Sequence, residues 1–203
     1  MTWSGQFEYM ERAAERLSIV APATLFIIFL LLYLNFRNVI EPVVVMMSMP
    51  FALVGGIWLV YLNNYNMSVG VAVGFIALAG MAAEIGVLVL SFIDREMVIR
   101  RAESKQALSV NEIKDAVLSA TSKRVRPVAM TAISTMVGLI PIMLSSSTGS
   151  DVTHRIAAPM LGGMLTVLIL NLLVLPVIYS YILQFQEAAK ARKPSLAQEI
   201  TSS

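Results

Sequence analysis

Five long apolar runs govern what this chain can fold into. They cover Leu17–Phe36, Pro42–Leu62, Met67–Ile93, Val128–Leu144 and Ile156–Leu183. A helix of about 20 apolar residues crosses ~30 Å of hydrocarbon, and each run meets or approaches that length. The fourth is the shortest and has room to extend to Ser147. Inside a bilayer every backbone N–H and C=O must be paired, so only helices and closed barrels span it. Barrel strands alternate apolar and polar residues; these runs are apolar all round. The expected fold is therefore an all-α membrane protein with five transmembrane helices. Pro22, Pro50, Pro141, Pro159 and Pro176 fall within the runs, which neighbouring helices make tolerable; the last run has room to tilt, or to kink at Pro159 and Pro176. Only 14% of the residues are charged, against about 25% in soluble domains.

The basic residues set an orientation. Twelve of the fifteen fall in the loop Arg37–Glu41, the loop Asp94–Arg126 and the C-terminal tail. Arg12, Arg16 and Arg155 fall on the other side. The positive-inside rule then places the N-terminus outside, which the resemblance described below makes periplasmic, and the C-terminus in the cytoplasm. The first sixteen residues are charged and amphipathic and lack the order of a signal peptide. An outside start without a signal is expected if more protein precedes residue 1; spontaneous translocation of a short N-tail is the alternative. The expected organisation is an amphipathic entry over 1–16, a five-helix block over 17–183, and a cytoplasmic tail over 184–203; the resemblance described below implies that the entry closes a periplasmic domain. Within the block, Ser109-Val-Asn-Glu112 is a capping box. Val110, Ile113, Val117 and Ala120 then recur at helical spacing. This predicts a short helix over about 109–122, lying on the inner membrane face or docked on the rest of the protein.

Glu84 is the one ionisable residue deep inside these runs. An ionisable group at mid-span costs at least ~2.5 kcal/mol, and a low dielectric disfavours its charged form. A carboxyl able to be neutral in one state and charged in another carries protons. A structural glutamate, kept protonated and hydrogen-bonded between helices, is the other reading. Small residues surround it: Gly70, Gly74, Ala79, Gly80, Ala82, Ala83 and Gly86. They suit close helix packing or a sliding surface near Glu84.

Thirteen methionines are present. Thioethers bind monovalent copper and silver, yet Met46, Met47, Met49, Met81, Met130, Met136, Met143, Met160 and Met164 equally suit gap-filling in apolar cores. Gap-filling is the expectation adopted. There is no cysteine, and His154 is the one histidine, expected in a solvated outer loop beside Asp151. No thiolate or paired-histidine metal centre can be built, and no metal-ligating residue or bound cofactor is assigned. Nucleophile, phosphate-loop and zinc-protease signatures are absent, so the chain is not expected to be an enzyme. The basic residues are balanced by acids, which gives nucleic-acid binding no support.

Four segments carry a resemblance. Trp3-Ser-Gly-Gln-Phe-Glu-Tyr-Met-Glu-Arg12, Gly74-Phe-Ile-Ala-Leu-Ala-Gly-Met-Ala-Ala-Glu84, Arg124-Val-Arg-Pro-Val-Ala-Met-Thr131 and Arg155-Ile-Ala-Ala-Pro-Met-Leu-Gly-Gly-Met164 resemble the eighth, tenth, eleventh and twelfth helices, with their approaches, of heavy-metal efflux permeases of the RND superfamily. Order and spacing match from residue 3 to about residue 183. Glu84 falls where the copper/silver branch has its helix-ten glutamate.

The resemblance implies helices eight to twelve of a twelve-span inner-membrane permease. It implies a homotrimer working with a periplasmic adaptor and an outer-membrane channel, and export of a metal ion, Cu+ or Ag+, driven by inward H+. In the family the helix-ten glutamate works with an acid on helix four and a lysine at the start of helix eleven. Here the first half is missing, Val128 stands where the lysine is expected, and Thr153 replaces an expected outer-loop methionine. Thr131 and Arg124 match polar positions of the multidrug branch and are candidate substitutes for the lysine. An inactive or non-transporting membrane fragment, needing a separate N-terminal half, is the competing expectation.

Overall fold

The computed structural model describes residues 3–103, 109–146 and 149–187. Five helices carry the fold: α1 (Trp3–Phe36), α2 (Ile40–Leu62), α3 (Val69–Glu103), α4 (Val110–Leu144) and α5 (Ser150–Ile169). A π turn over Leu170–Val174 continues α5, and α-helix then runs on to residue 187. No strand occurs among the described residues. All five helices are long and apolar enough to cross a membrane. The expected all-α, five-span architecture is what forms.

Two expected boundaries are not seen. The entry segment is continuous with the first span, because α1 runs unbroken from Trp3. The separate short helix over about 109–122 is the first part of α4, which continues through Pro127 to Leu144. The capping box marks its start as expected: Ser109 Oγ accepts from the Glu112 N–H, and Glu112 Oε2 accepts from the Ser109 N–H. Nothing marks an end. Between Ala120 and Pro127 there is no glycine or proline, and one proline removes one backbone bond without forcing the helix to stop. Ile113, Val117 and Ala120 are buried with Ile93 and Met97 of α3, while Val110 is exposed. The stripe is thus docked on the protein itself. Lys123 and Glu96 clip the two helices together at 3.2 Å.

Helix α5 is the centre of the block. It packs against α2, α3 and α4, whereas α1 lies at the edge against α2 and α3. Lipid tails are as apolar as leucine, so helices in a bilayer gain little by hiding apolar side chains from one another; close backbone approach supplies the attraction instead. The glycines show where that happens. A Cβ on Gly162 of α5 would stand 2.5 Å from the Gly55 carbonyl oxygen of α2. One on Gly56 would stand 2.8 Å from the Pro159 carbonyl oxygen. Gly74 of α3 faces Ile156 and Pro159, and Gly163 faces the Leu78 side chain. Gly80 is different, with nothing within 4 Å.

The ends follow local chemistry. Asn64 closes α2 with φ 52°, a left-handed conformation that asparagine tolerates. Asn63 Nδ2 donates to the Leu59 carbonyl at 2.8 Å. Gly149 takes φ 92° to start α5. Pro176 has no N–H, and its ring would strike the carbonyl of Leu172. The π turn stands immediately before it, which re-routes backbone bonding at that point.

Gly162→Ala is expected to lower the stability of the block by about 1–3 kcal/mol through overpacking against α2. Gly80→Ala is expected to be neutral, or to gain up to roughly 1 kcal/mol of helix propensity. Detergent-titrated unfolding of both variants checks this; equal effects would contradict the packing described.

Candidate functional site

Glu84 lies midway along α3, but its side chain is exposed. Its neighbours in sequence divide by face. Ala82, Ala83, Ile85 and Gly86 are buried, while Gly80, Glu84 and Leu88 share the outward face at four-residue spacing. The small-residue stripe does not surround Glu84. Gly70 and Gly74 face α5, and Gly86 lies near Asn171 of the π turn. Packing and carboxyl occupy opposite sides of α3. Of the two readings, close packing is what these small residues show, on the side of α3 away from Glu84.

The other sequence candidates do not gather at this carboxyl. Among the described residues no hydrogen bond or ion pair joins Glu84, Thr131 and Arg124. Thr131 is exposed on α4, its hydroxyl donating to the Pro127 carbonyl at 3.1 Å. Arg124 is half-buried, with its guanidinium carbon 3.2 Å from the centroid of the Phe92 ring, a cation–π contact that fixes α4 to α3. Val128 is 5% exposed and belongs to the core between these helices. His154 is not a loop residue. It sits in the opening turns of α5, half-buried, with Nε2 3.4 Å from Ser145 Oγ. Asp151 pairs instead with Arg155 at 3.3 Å. Thr153 Oγ1 donates to the Ser150 carbonyl. Met49 and Met164 fill the core, while Met47 and Met130 face outward. Among the described residues no group of three or more His, Asp or Glu is arranged to hold a metal ion.

Sequence reasoning missed a buried polar cluster at the end of the block that carries the basic residues. Glu41, next to Pro42 at the start of α2, is 5% exposed. Tyr179, on the helix that continues α5 beyond the π turn, is fully buried, and its hydroxyl lies 2.9 Å from Glu41 Oε1 and within hydrogen-bonding distance of Asp94 Oδ1. Asn38 Nδ2 donates to Glu41 Oε1 at 3.1 Å. Glu41 Oε2 is buried without a partner. On the far side, Arg101 and Glu187 pair at 2.6 Å. The charge-based topology placed Glu41 and Asp94 in loops. No sequence signal joins them to a tyrosine 85 and 138 residues away.

Asn171 was also missed. It is fully buried in the π turn, and its Nδ2 donates to the Ala82 carbonyl at 3.3 Å, directly behind Glu84. Its Oδ1 is without a partner. The sequence signal was available: one amide within an otherwise apolar run.

Five membrane-length helices, three of them packed through glycines, with a mid-helix carboxyl on the open face, define a polytopic α-helical membrane protein. The chain belongs to the AcrB/AcrD/AcrF family, which it matches over residues 1–183. It is 44% identical over 180 residues to the cation efflux system protein CusA of Escherichia coli, covering 88% of this chain and 17% of that protein. It is 36% identical over 198 residues to the cobalt-zinc-cadmium resistance protein CzcA of Cupriavidus metallidurans, covering 98% of this chain and 18% of that one. The crystal structure of a heavy metal efflux pump superposes with a TM-score of 0.74 at 34% identity, over 87% of this chain and 16% of the pump. The resemblance to RND heavy-metal efflux permeases is borne out. The chain spans less than a fifth of the length of these relatives.

Asn171→Leu keeps the forked outline of the side chain and removes an orphaned amide oxygen. The Ala82 carbonyl retains its partner within α3. The variant is expected to be neutral or to stabilise the block by up to about 2 kcal/mol. Detergent-titrated unfolding checks it. A clear loss of stability would mean that the Asn171 oxygen is paired in the folded protein.

Proposed function

We propose that this chain is part of an inner-membrane, proton-driven efflux transporter for heavy-metal cations, in which Glu84 takes up and releases the driving proton. The observation that carries this reading is the position of Glu84. It sits at mid-helix on an exposed face of a span-length helix, beside Gly80 with empty space around it. A carboxyl turned to lipid at that depth is expensive. A glycine one turn away lets another helix approach closely. Together they describe a face made to be covered by further membrane helices, with the carboxyl at the seam. Titration at such a seam changes its charge and its hydrogen bonds at once, which gives two packings different stabilities.

The relatives supply the cargo class. One is called a cation efflux system protein and another a cobalt-zinc-cadmium resistance protein. Cu+ or Ag+ is the proposed cargo, on the resemblance of the Glu84 segment to the copper/silver branch. The further helices, the homotrimer, the periplasmic adaptor and the outer-membrane channel belong to the same proposal. So does the orientation, with the basic end cytoplasmic. Thr131 and Arg124 are accessory in it, and Arg124 is already engaged with Phe92. No observation favours the competing reading of a non-transporting fragment.

In a full-length pump containing this block, expressed in a pump-deficient host, Glu84→Gln is expected to abolish copper and silver resistance. Insertion and abundance in the membrane should be unchanged. Thr131→Ala should cost much less. Growth at graded metal concentrations, with immunodetection of the protein, reads both. Full resistance in Glu84→Gln would refute the role given to this carboxyl, and protection against zinc or cobalt alone would refute the cargo.

A further inference from the structure

The buried cluster Glu41–Tyr179–Asp94 has a proton count that its geometry fixes. The phenol of Tyr179 has one proton. Its oxygen stands within hydrogen-bonding reach of two carboxyl oxygens, Glu41 Oε1 and Asp94 Oδ1. One phenolic proton satisfies one acceptor. Were both carboxyls ionised, one would press a charged oxygen against the phenol's lone pairs with no proton between them. That arrangement would sit at a tyrosine with no solvent exposure. It would also leave Glu41 Oε2 charged, buried and unpartnered, a costly state in a low dielectric.

The surrounding charges offset this only in part. Among the described residues, the groups acting electrostatically on Asp94 are Glu41, Arg101 and Tyr179, and those acting on Tyr179 are Asp94 and Glu41. They come from α2, α3 and α5. The Arg101 guanidinium is already paired with Glu187. Asn38 gives Glu41 a neutral N–H donor. Among the described residues Arg101 is the one cation acting on the pair, and it is shared with Glu187.

We infer that Glu41, Tyr179 and Asp94 form a second proton-binding site, holding one proton beyond the phenol's own, shared between the two carboxyls through the phenol oxygen. In one arrangement the Glu41 carboxylic acid donates to Tyr179 Oη and the phenol donates to Asp94. In the other the Asp94 acid donates to Oη and the phenol donates to Glu41. Moving one proton along each of the two bonds converts one arrangement into the other. No atom is gained or lost, and one negative charge stays on the trio throughout.

Both arrangements leave every oxygen between the three residues paired through a proton. Removing the extra proton breaks one of the two bonds. The site therefore binds a proton at the join of α2, α3 and α5, and its occupancy affects how these helices meet. It is separate from Glu84, which lies ten residues earlier on α3, about 15 Å along the helix axis. It stands whether or not Glu84 drives transport.

Infrared spectroscopy of the whole chain in lipid bilayers at neutral pH tests this through the carboxylic-acid carbonyl band, with the amide band in the same spectra reporting the fold. Glu41→Gln and Asp94→Asn are each expected to abolish the same single acid band, because either change leaves one carboxylate that the phenol alone satisfies. Loss in only one of them would overturn the sharing, and retention in both would overturn the site. Tyr179→Phe gives an independent reading. It should shift the acid band by removing the bridging oxygen, and an unchanged band would count against the proposal even if a carboxyl variant failed to fold. Glu84→Gln should leave this band in place.

Discussion

Close contact between α5 and the backbones of α2 and α3 is the interaction on which the rest of the block depends. In water, an apolar helix face would be enough to hold a bundle together. In lipid it is not. Gly56 of α2, Gly74 of α3 and Gly162 of α5 stand so close to a neighbouring backbone carbonyl that a Cβ would collide with it, and Gly163 of α5 makes room for the Leu78 side chain. They put Pro159 of α5 within reach of both neighbours. With α5 fixed in this way, its lower half brings Asn171 against α3 and Tyr179 between Glu41 and Asp94. The buried polar groups are thus consequences of the glycine contacts higher in the same helix.

The contacts also explain why Glu84 faces outward. A helix that presents Gly74, Ala82 and Gly86 to α5 must turn residues 80, 84 and 88 to the opposite side. The same helix therefore combines a rigid seam with a polar position on its bare face. The block has carboxyls in two different surroundings. Glu84 is exposed, whereas Glu41 and Asp94 meet at a buried tyrosine. The first suits a group whose environment changes as helices move against one another, the second a proton held within the bundle.

Much of the architecture was legible in the sequence because its cause is a single length scale. Runs of apolar residues long enough to cross a bilayer marked the five helices, and Ser109 with Glu112 marked the start of α4 to the residue. The continuity of α4 was not legible, since its first half is polar enough to read as a surface helix and nothing between Ala120 and Pro127 says whether the helix continues. Glu84 stood out in the sequence by its isolation, but its direction was not legible. A helix apolar all round has no amphipathic pattern from which a buried face can be read. Glu41, Asp94 and Tyr179 were out of reach for another reason. Charge counting assigns residues to sides of a membrane, and cannot see that a loop-end carboxyl folds inward to a tyrosine on a distant helix. Arg124 and Thr131 were noticed by resemblance, and the local contacts they make are with Phe92 and Pro127.

The central claim is that the outward face of α3 is a protein seam rather than a lipid-facing surface. The chain contains no cysteine, so a single Gly80→Cys provides a unique spin-label site one turn from Glu84. The most direct measurement is the accessibility of that label to oxygen dissolved in the bilayer, for this chain alone and for a full-length pump containing it. The account predicts high accessibility in the chain alone, and strong protection with an immobilised label in the full-length pump. Equal, lipid-like accessibility in both would contradict it, since Glu84 would then face hydrocarbon in the assembled protein and have no seam at which to work.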